Sequence, residues 1–275
     1  MSQLISSPFI GTETDGSIVA PSAANSVVGL KPSRGMVPGE GIVPLIKEID
    51  TPGPIGKTVR DVTVAYNALT GKQTSLDTDG KALSGKNIGL AGYDYVDEEV
   101  LLKIKKELQG MNAKIIDINL NEEKISIFNE IKLSFKKDFE DYAAAYGLPI
   151  KKLDDLIKFN KEDAKRRIKY GQDLLEEANN VEKADKRPIE ASIRNARLVL
   201  DSLFADRHLD AIVFLNSSGT TAPAAAGYPE LAVPFGKDSK GVPQSATFMT
   251  KYGEDEKLLN MGYSFEKRTQ GRMVP

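Results

Sequence analysis

Apolar positions in the first half of the chain recur with two different periods. Asn87-Ile88-Gly89-Leu90-Ala91-Gly92 reads as a buried strand. Residues 97–109 (Asp97 to Gln109) place Val100, Ile104 and Leu108 on one helical face, and Lys114-Ile115-Ile116-Asp117-Ile118 reads as a second strand. Strand, helix and strand within about thirty residues make a βαβ unit, which requires a parallel pair joined by a right-handed crossover. Upstream, Thr58 predicts an N-cap with Asp61 three residues on, and Val59, Val62, Ala65, Tyr66 and Leu69 continue at helical spacing to Gly71. Ser26 to Pro32 reads as a short strand. The Pro- and Gly-punctuated run from Gly35 to Gly56 reads as one long loop, and the polar residues 72–85 as a linker or surface loop.

From 121 to 207 the chain becomes charged and helical, with helices predicted near 122–145, 152–179 and 188–207, Pro149 between the first two and Pro188 at a helix start. Strand character returns at Asp210–Leu215, followed by a polar loop, Asn216–Thr221. Leu231–Pro234 and Ser245–Met249 predict two more strands, and Asp255–Phe265 a last helix. The sum is an α/β fold: one mixed sheet with helices on both faces, a single domain over 1–275 carrying a helical insertion at 121–207.

Composition narrows the chemistry. Of 275 residues 40% are hydrophobic and 28% charged, with a net charge of −2, which describes a globular protein with no overall pull towards nucleic acid or anionic lipid. No apolar run approaches the roughly 20 residues that span a bilayer, and the first residues lack the charge and apolar pattern of a secretory signal, so a cytoplasmic location is expected. The basic triplet Lys165-Arg166-Arg167 reads as a solvated helix face. With no cysteine, thiolate catalysis, disulfides and Cys-ligated metals are excluded. The single histidine, His208, lies at a charged helix end and reads as a cation favoured by the helix C-terminus. No cofactor is expected.

One stretch carries candidate chemistry. Gly11-Thr12-Glu13-Thr14-Asp15-Gly16-Ser17-Ile18 sets two glycines and short polar residues before a serine. Such a turn can aim backbone N–H groups into one small space beside a hydroxyl nucleophile, as acyl transfer requires. An ordinary polar loop is the other reading. Asn216, Ser217 and Ser218, on a loop after a strand, are candidate ligand contacts or a plain connection.

Taken in order, these motifs resemble the amidase signature family, nearest its peptide-amidase-like branch. Gly11–Ile18 through Gly29-Leu30-Lys31-Pro32-Ser33 resembles the core signature. Gly41-Ile42-Val43-Pro44, Asp50–Pro54, Thr58–Val62, Asp155–Asn160, Gly171-Gln172-Asp173, Ala226–Pro234 and Gly262–Glu266 extend the likeness along nearly the whole chain. The resemblance implies hydrolysis of an amide C–N bond through a Ser–Ser–Lys triad. Ser17 matches the nucleophile, and the backbone N–H groups of Thr14, Asp15 and Gly16 match the oxyanion hole. It implies a small-molecule or peptide amide as substrate, with neither nucleic acid nor membrane as partner.

The family's bridging serine and base lysine lie upstream of this motif, and the sixteen residues before Ser17 hold neither segment. Ser6 and Ser7 stand too close to Ser17 for the bridging role, and Lys31 matches a position that is not the base. The expectation is therefore a C-terminal portion of an amidase, incomplete or inactive alone, with apolar surface left for a missing segment or for self-association. Two alternatives stand beside it. One is a non-catalytic remnant or subunit that works by association. The other is a glutamyl-tRNA amidotransferase A-type subunit, disfavoured because Val19 stands where that branch has arginine.

Overall fold

Ala211–Leu215 forms β6, and all five residues are buried. Because alternate strand residues face opposite ways, an uninterrupted apolar strand needs cover on both faces. The computed structural model, which describes residues 8–93 and 96–273, supplies it. Ala211, Val213 and Leu215 join one core, while Ile212 and Phe214 join another.

The first core is closed by α2 (Val59–Thr70), α3 (Glu98–Gly110) and α10 (Asp255–Thr269). The second is closed by α8 (Arg187–Asp206) and α9 (Thr221–Ala226). Between them the described residues form one eight-stranded sheet, ordered β1-β3-β2-β7-β8-β6-β4-β5. Its remaining strands are β1 (Phe9–Glu13), β2 (Val28–Lys31), β3 (Thr51–Gly56), β4 (Asn87–Ala91), β5 (Lys114–Ile118), β7 (Glu230–Lys237) and β8 (Pro243–Met249). Among the eight strands only β6-β4-β5 are mutually parallel neighbours, and every other strand pair is antiparallel; a single parallel bridge joins Phe235 of β7 to Gly271. The β4-α3-β5 unit is the βαβ crossover that the apolar spacing predicts. The fold is a mixed α/β sheet with helices on both faces.

Three elements differ from the expected reading. β3 lies inside the stretch read as loop, with every residue buried. Pro52 and Pro54 stand two apart, so their missing N–H groups fall along one side of the strand, a pattern of strand use that composition does not reveal. The short helices α1 (Val19–Ala24) and α9 are absent from the sequence reading as well. Pro21 and Pro223 fall in their first turns, where no intrahelical N–H is needed. Arg197 and Arg34 donate to the carbonyls of Ala226 and Ala225, satisfying the free end of α9.

The helical region is broken where the spacing predicts two long helices. Residues 121–127 form a turn, the Ile125 N–H donating to the Glu122 carbonyl, and pack on α8, the Ser126 N–H donating to the Ser192 hydroxyl, so α4 begins only at Ile131 and ends at Ala145. The next stretch divides into α5 (Leu153–Glu162), α6 (Ala164–Arg167) and α7 (Asp173–Asn179), with Gly171 in a left-handed turn. Phe139, Leu153, Ile157 and Ala178 give α4, α5 and α7 a small core of their own. Lys165, Arg166 and Arg167 are exposed on α6, and exposed His208 takes a left-handed conformation as the chain leaves α8. Among the described residues no helix is long and apolar enough to cross a membrane.

The Thr58 box forms as expected, with Thr58 and Asp61 bonding reciprocally. A second cap comes from α10: the Glu266 carboxylate accepts the Val59 N–H at 3.0 and 3.2 Å. Burial, the largest influence, together with nearby Asp61, pushes Glu266 up to about 7 against the pull of Val59 N–H and Arg272. A carboxyl that binds its proton more tightly when folded stabilises the fold in acid, and that stability is lost as pH rises through its folded pKa. Stability is therefore expected to fall between about pH 4.5 and 7, by on the order of 2–3 kcal/mol from this group. Urea midpoints measured across that range for wild type and Glu266→Gln test this, since a variant with an unchanged pH slope would contradict it.

Candidate active site

The turn after β1 is held by three consecutive side chains, each tied to a different part of the molecule. Glu13, 1% exposed, accepts the N–H groups of Ile18 and Val19 on Oε2 at 2.7 and 2.9 Å, so the carboxylate sits at the start of α1. The Thr14 hydroxyl donates to Asp50. Asp15 accepts from the hydroxyls of Thr220 and Thr221 at 2.8 and 3.0 Å, joining the turn to the start of α9. Glu122 supports the same helix, accepting the Ala222 N–H at 2.9 Å, and burial pushes its carboxyl above the usual range.

Gly16 then turns with φ +76°, and a Cβ there would lie 3.3 Å from the Thr220 hydroxyl oxygen. Two requirements, the left-handed backbone and the tight space, select glycine at this position. Ser17 follows at the tip. Its side chain is exposed, and no hydrogen bond reaches it among the described residues. The four sequence-derived residues Thr14, Asp15, Gly16 and Ser17 thus share one anchored turn. Ser6 and Ser7 lie outside the described residues.

Beneath the turn is a buried charge cluster that spacing alone did not reveal. Lys31, 1% exposed, donates to the Tyr228 carbonyl and lies 3.3 Å from Glu230, which is fully buried. Burial, foremost, drives Glu230 well above the ordinary carboxylate range, with Lys31 opposing. Burial also raises Glu13, offset by Lys31 and by the N–H groups of Val19, Ile18 and Gly16. One ammonium therefore serves two carboxylates.

Asn216, a candidate contact, turns inward instead. With φ +52° it accepts the Ser245 N–H at 2.8 Å and donates to Gln244 at 2.7 Å, pinning the loop that packs on Gly16. Ser217 and Ser218 line a neighbouring open pocket with Asp238 and Lys240. Among the described residues no group of three or more His, Asp or Glu is placed to hold a metal ion.

Comparison with known proteins places the chain in a family. The family model described as Amidase matches residues 5–215. An amidase family protein from Bacillus anthracis is 37% identical with a TM-score of 0.91, over 98% of this chain and 58% of its own. The native peptide amidase of Stenotrophomonas maltophilia is 30% identical with a TM-score of 0.85, over 98% and 63%. A probable amidase of Arabidopsis thaliana is 29% identical over 299 residues, 97% of this chain and 57% of the relative. The A-type subunit of the glutamyl-tRNA(Gln) amidotransferase of Nostoc is 26% identical over 310 residues, 94% and 64%. The chain thus spans 57–64% of the length of these relatives. Matched by the family model over most of its length and by solved structures along nearly all of it, the chain belongs to the amidase family.

Proposed function

We propose that the anchored turn is the acyl-transfer site of an amide hydrolase, with Ser17 as nucleophile and the N–H groups of Thr14, Asp15 and Gly16 as oxyanion donors. The observation that carries this reading is a contrast within one turn. The side chains at 13, 14 and 15 are all tied down, while the Ser17 hydroxyl alone is exposed and uncommitted. Rigid support under a free hydroxyl is the preorganisation that acyl transfer needs.

In this reading Ser17 Oγ attacks the amide carbonyl carbon as its proton passes to a base. The oxyanion is held by the turn's N–H groups, the C–N bond breaks as the amine takes a proton, and water then hydrolyses the ester. Among the described residues no hydrogen bond from a titratable side chain reaches Ser17. Substrates would be small-molecule or peptide amides, in keeping with the peptide amidase likeness. An amidotransferase role is the second reading, carried by the 26% identity to the A-type amidotransferase chain of Nostoc; specific binding of tRNA by this protein would favour it.

A fluorophosphonate probe is expected to label wild type at Ser17 and to leave Ser17→Ala unlabelled. Equal labelling of the two proteins would overturn the assignment.

A further inference from the structure

The Thr14–Asp50 bond leads from the turn into a cavity of about 540 Å³ between residues 39–50 and α4. That volume lies within the range that holds small ligands. Its charge is one-sided: Glu40, Asp50, Asp138 and Asp141 line it, against Lys47 alone.

The acidic residues do different things. Asp50 is spent on the fold, accepting from Thr14 and from the N–H groups of Leu45 and Ile46 at 2.7 and 3.1 Å. Asp141 and Glu40 are exposed at the rim. Asp138 is the exception: its side chain is 3% exposed, Oδ1 accepts from Lys186 at 2.9 Å, and Oδ2 is buried with no hydrogen-bond partner among the described residues. Lys186 is shared with Glu48, whose Oε2 is likewise buried and unpartnered. One ammonium again faces two carboxylates, which leaves a residual negative charge at Asp138 beside the cavity. A buried carboxylate oxygen without a donor is costly and is relieved by a ligand that brings one.

The same helix that carries Asp138 adds two aromatic residues, Tyr142 and Tyr146, one and two turns further on. The Tyr142 and Tyr146 rings lie 4.5 Å apart. The Tyr142 hydroxyl donates to the Gly41 carbonyl at 3.0 Å, and the Gly41 N–H donates to the Tyr146 oxygen at 2.7 Å. Phenol rings beside carboxylates in one cavity suit an organic cation, which gains from the rings and from the charge together.

We propose that this cavity is a specificity subsite for amides whose substituent carries a guanidinium or ammonium group. That cation lies against the α4 face that carries Asp138 and the tyrosine pair while the amide reaches the Ser17 turn. The assignment of substrate class rests on the hydrolase reading above; the cavity's preference for cations does not.

The test is a calorimetric titration of the chain with Nα-acetyl-argininamide and with its neutral isostere Nα-acetyl-citrullinamide. The cationic amide is expected to bind about tenfold tighter. Asp138→Asn is expected to bring the ratio close to one. The rim double variant Glu40→Gln/Asp141→Asn, which leaves the Lys186 contacts intact, is expected to lower it by a few-fold. Ser17→Ala is expected to keep it. Equal binding of the two amides by wild type, or a ratio unchanged in both acidic variants, overturns the subsite. A preserved ratio in a chain whose Ser17 resists the phosphonate probe upholds the subsite and sinks the hydrolase reading instead.

Discussion

Replacing Lys31 by methionine is expected to lower the free energy of unfolding by about 3–5 kcal/mol, the usual cost of removing one partner from a buried ionic group. The size follows from what remains. Glu230 is fully buried, Glu13 is 1% exposed, and Lys31 is the cation that opposes the burial of both. Without it the two carboxyls can stay buried only by holding protons, so both titrate higher than in wild type. The sign with pH follows: the variant's deficit is smallest in acid, where both groups are protonated anyway, and deepens towards neutrality. Denaturant titrations at acid and neutral pH measure this, and the double variant Lys31→Met/Glu230→Gln is expected to recover much of the loss. A deficit under about 1 kcal/mol, or one that shrinks as pH rises, would show that the cluster does not hold the charges described.

The second large effect is expected from a methyl group. A Cβ added at Gly53 would lie 2.0 Å from the Leu30 carbonyl oxygen and 2.7 Å from Pro32 Cδ. Neither neighbour is a flexible side-chain end, so β3 or β2 must move, and Gly53→Ala is expected to cost about 3 kcal/mol or more. Gly39→Ala, where nothing lies within 4 Å, is the control and is expected to stay within about 0.5 kcal/mol of wild type. Because Gly53 pairs with Gly11 across β1 and β3, the strain reaches the strand that ends at the Ser17 turn. Phosphonate labelling is therefore expected to slow in Gly53→Ala beyond what the folded fraction explains. Equal midpoints for the two glycine variants would refute the clash.

What could be read from the sequence followed the range over which each signal acts. β4, α3, β5 and β6 carry apolar periods long enough to be read directly, and the Thr58–Asp61 box is local by construction. β3 was hidden because Pro52, Gly53, Pro54 and Gly56 have the composition of a loop while pairing on both sides as a strand. α1 and α9 have six residues each, too few for a period to emerge, and exist through packing. At the site, glycine spacing exposed Thr14 to Ser17. Nothing local announces that Lys31 meets Glu230, that Thr14 meets Asp50, or that Lys186 meets Glu48 and Asp138. Those pairs are assembled by the sheet order and the path of the helices.

The same sheet order sets a schedule for synthesis. Lys31 and its partner Tyr228 lie 197 residues apart, and β2 pairs with β7 across that span. At about 5–20 residues per second, a ribosome needs on the order of 10–40 s after making β2 to deliver β7. Throughout that interval the antiparallel three-stranded sheet β1-β3-β2 can form from local sequence, but one edge of β2 stays open and the lysine ammonium stays in water. Closing that edge and dehydrating the charge are then a single late event. The nascent chain therefore reaches β7 with the Ser17 turn still lacking its floor, and a chaperone that shields an open strand edge would act in that window.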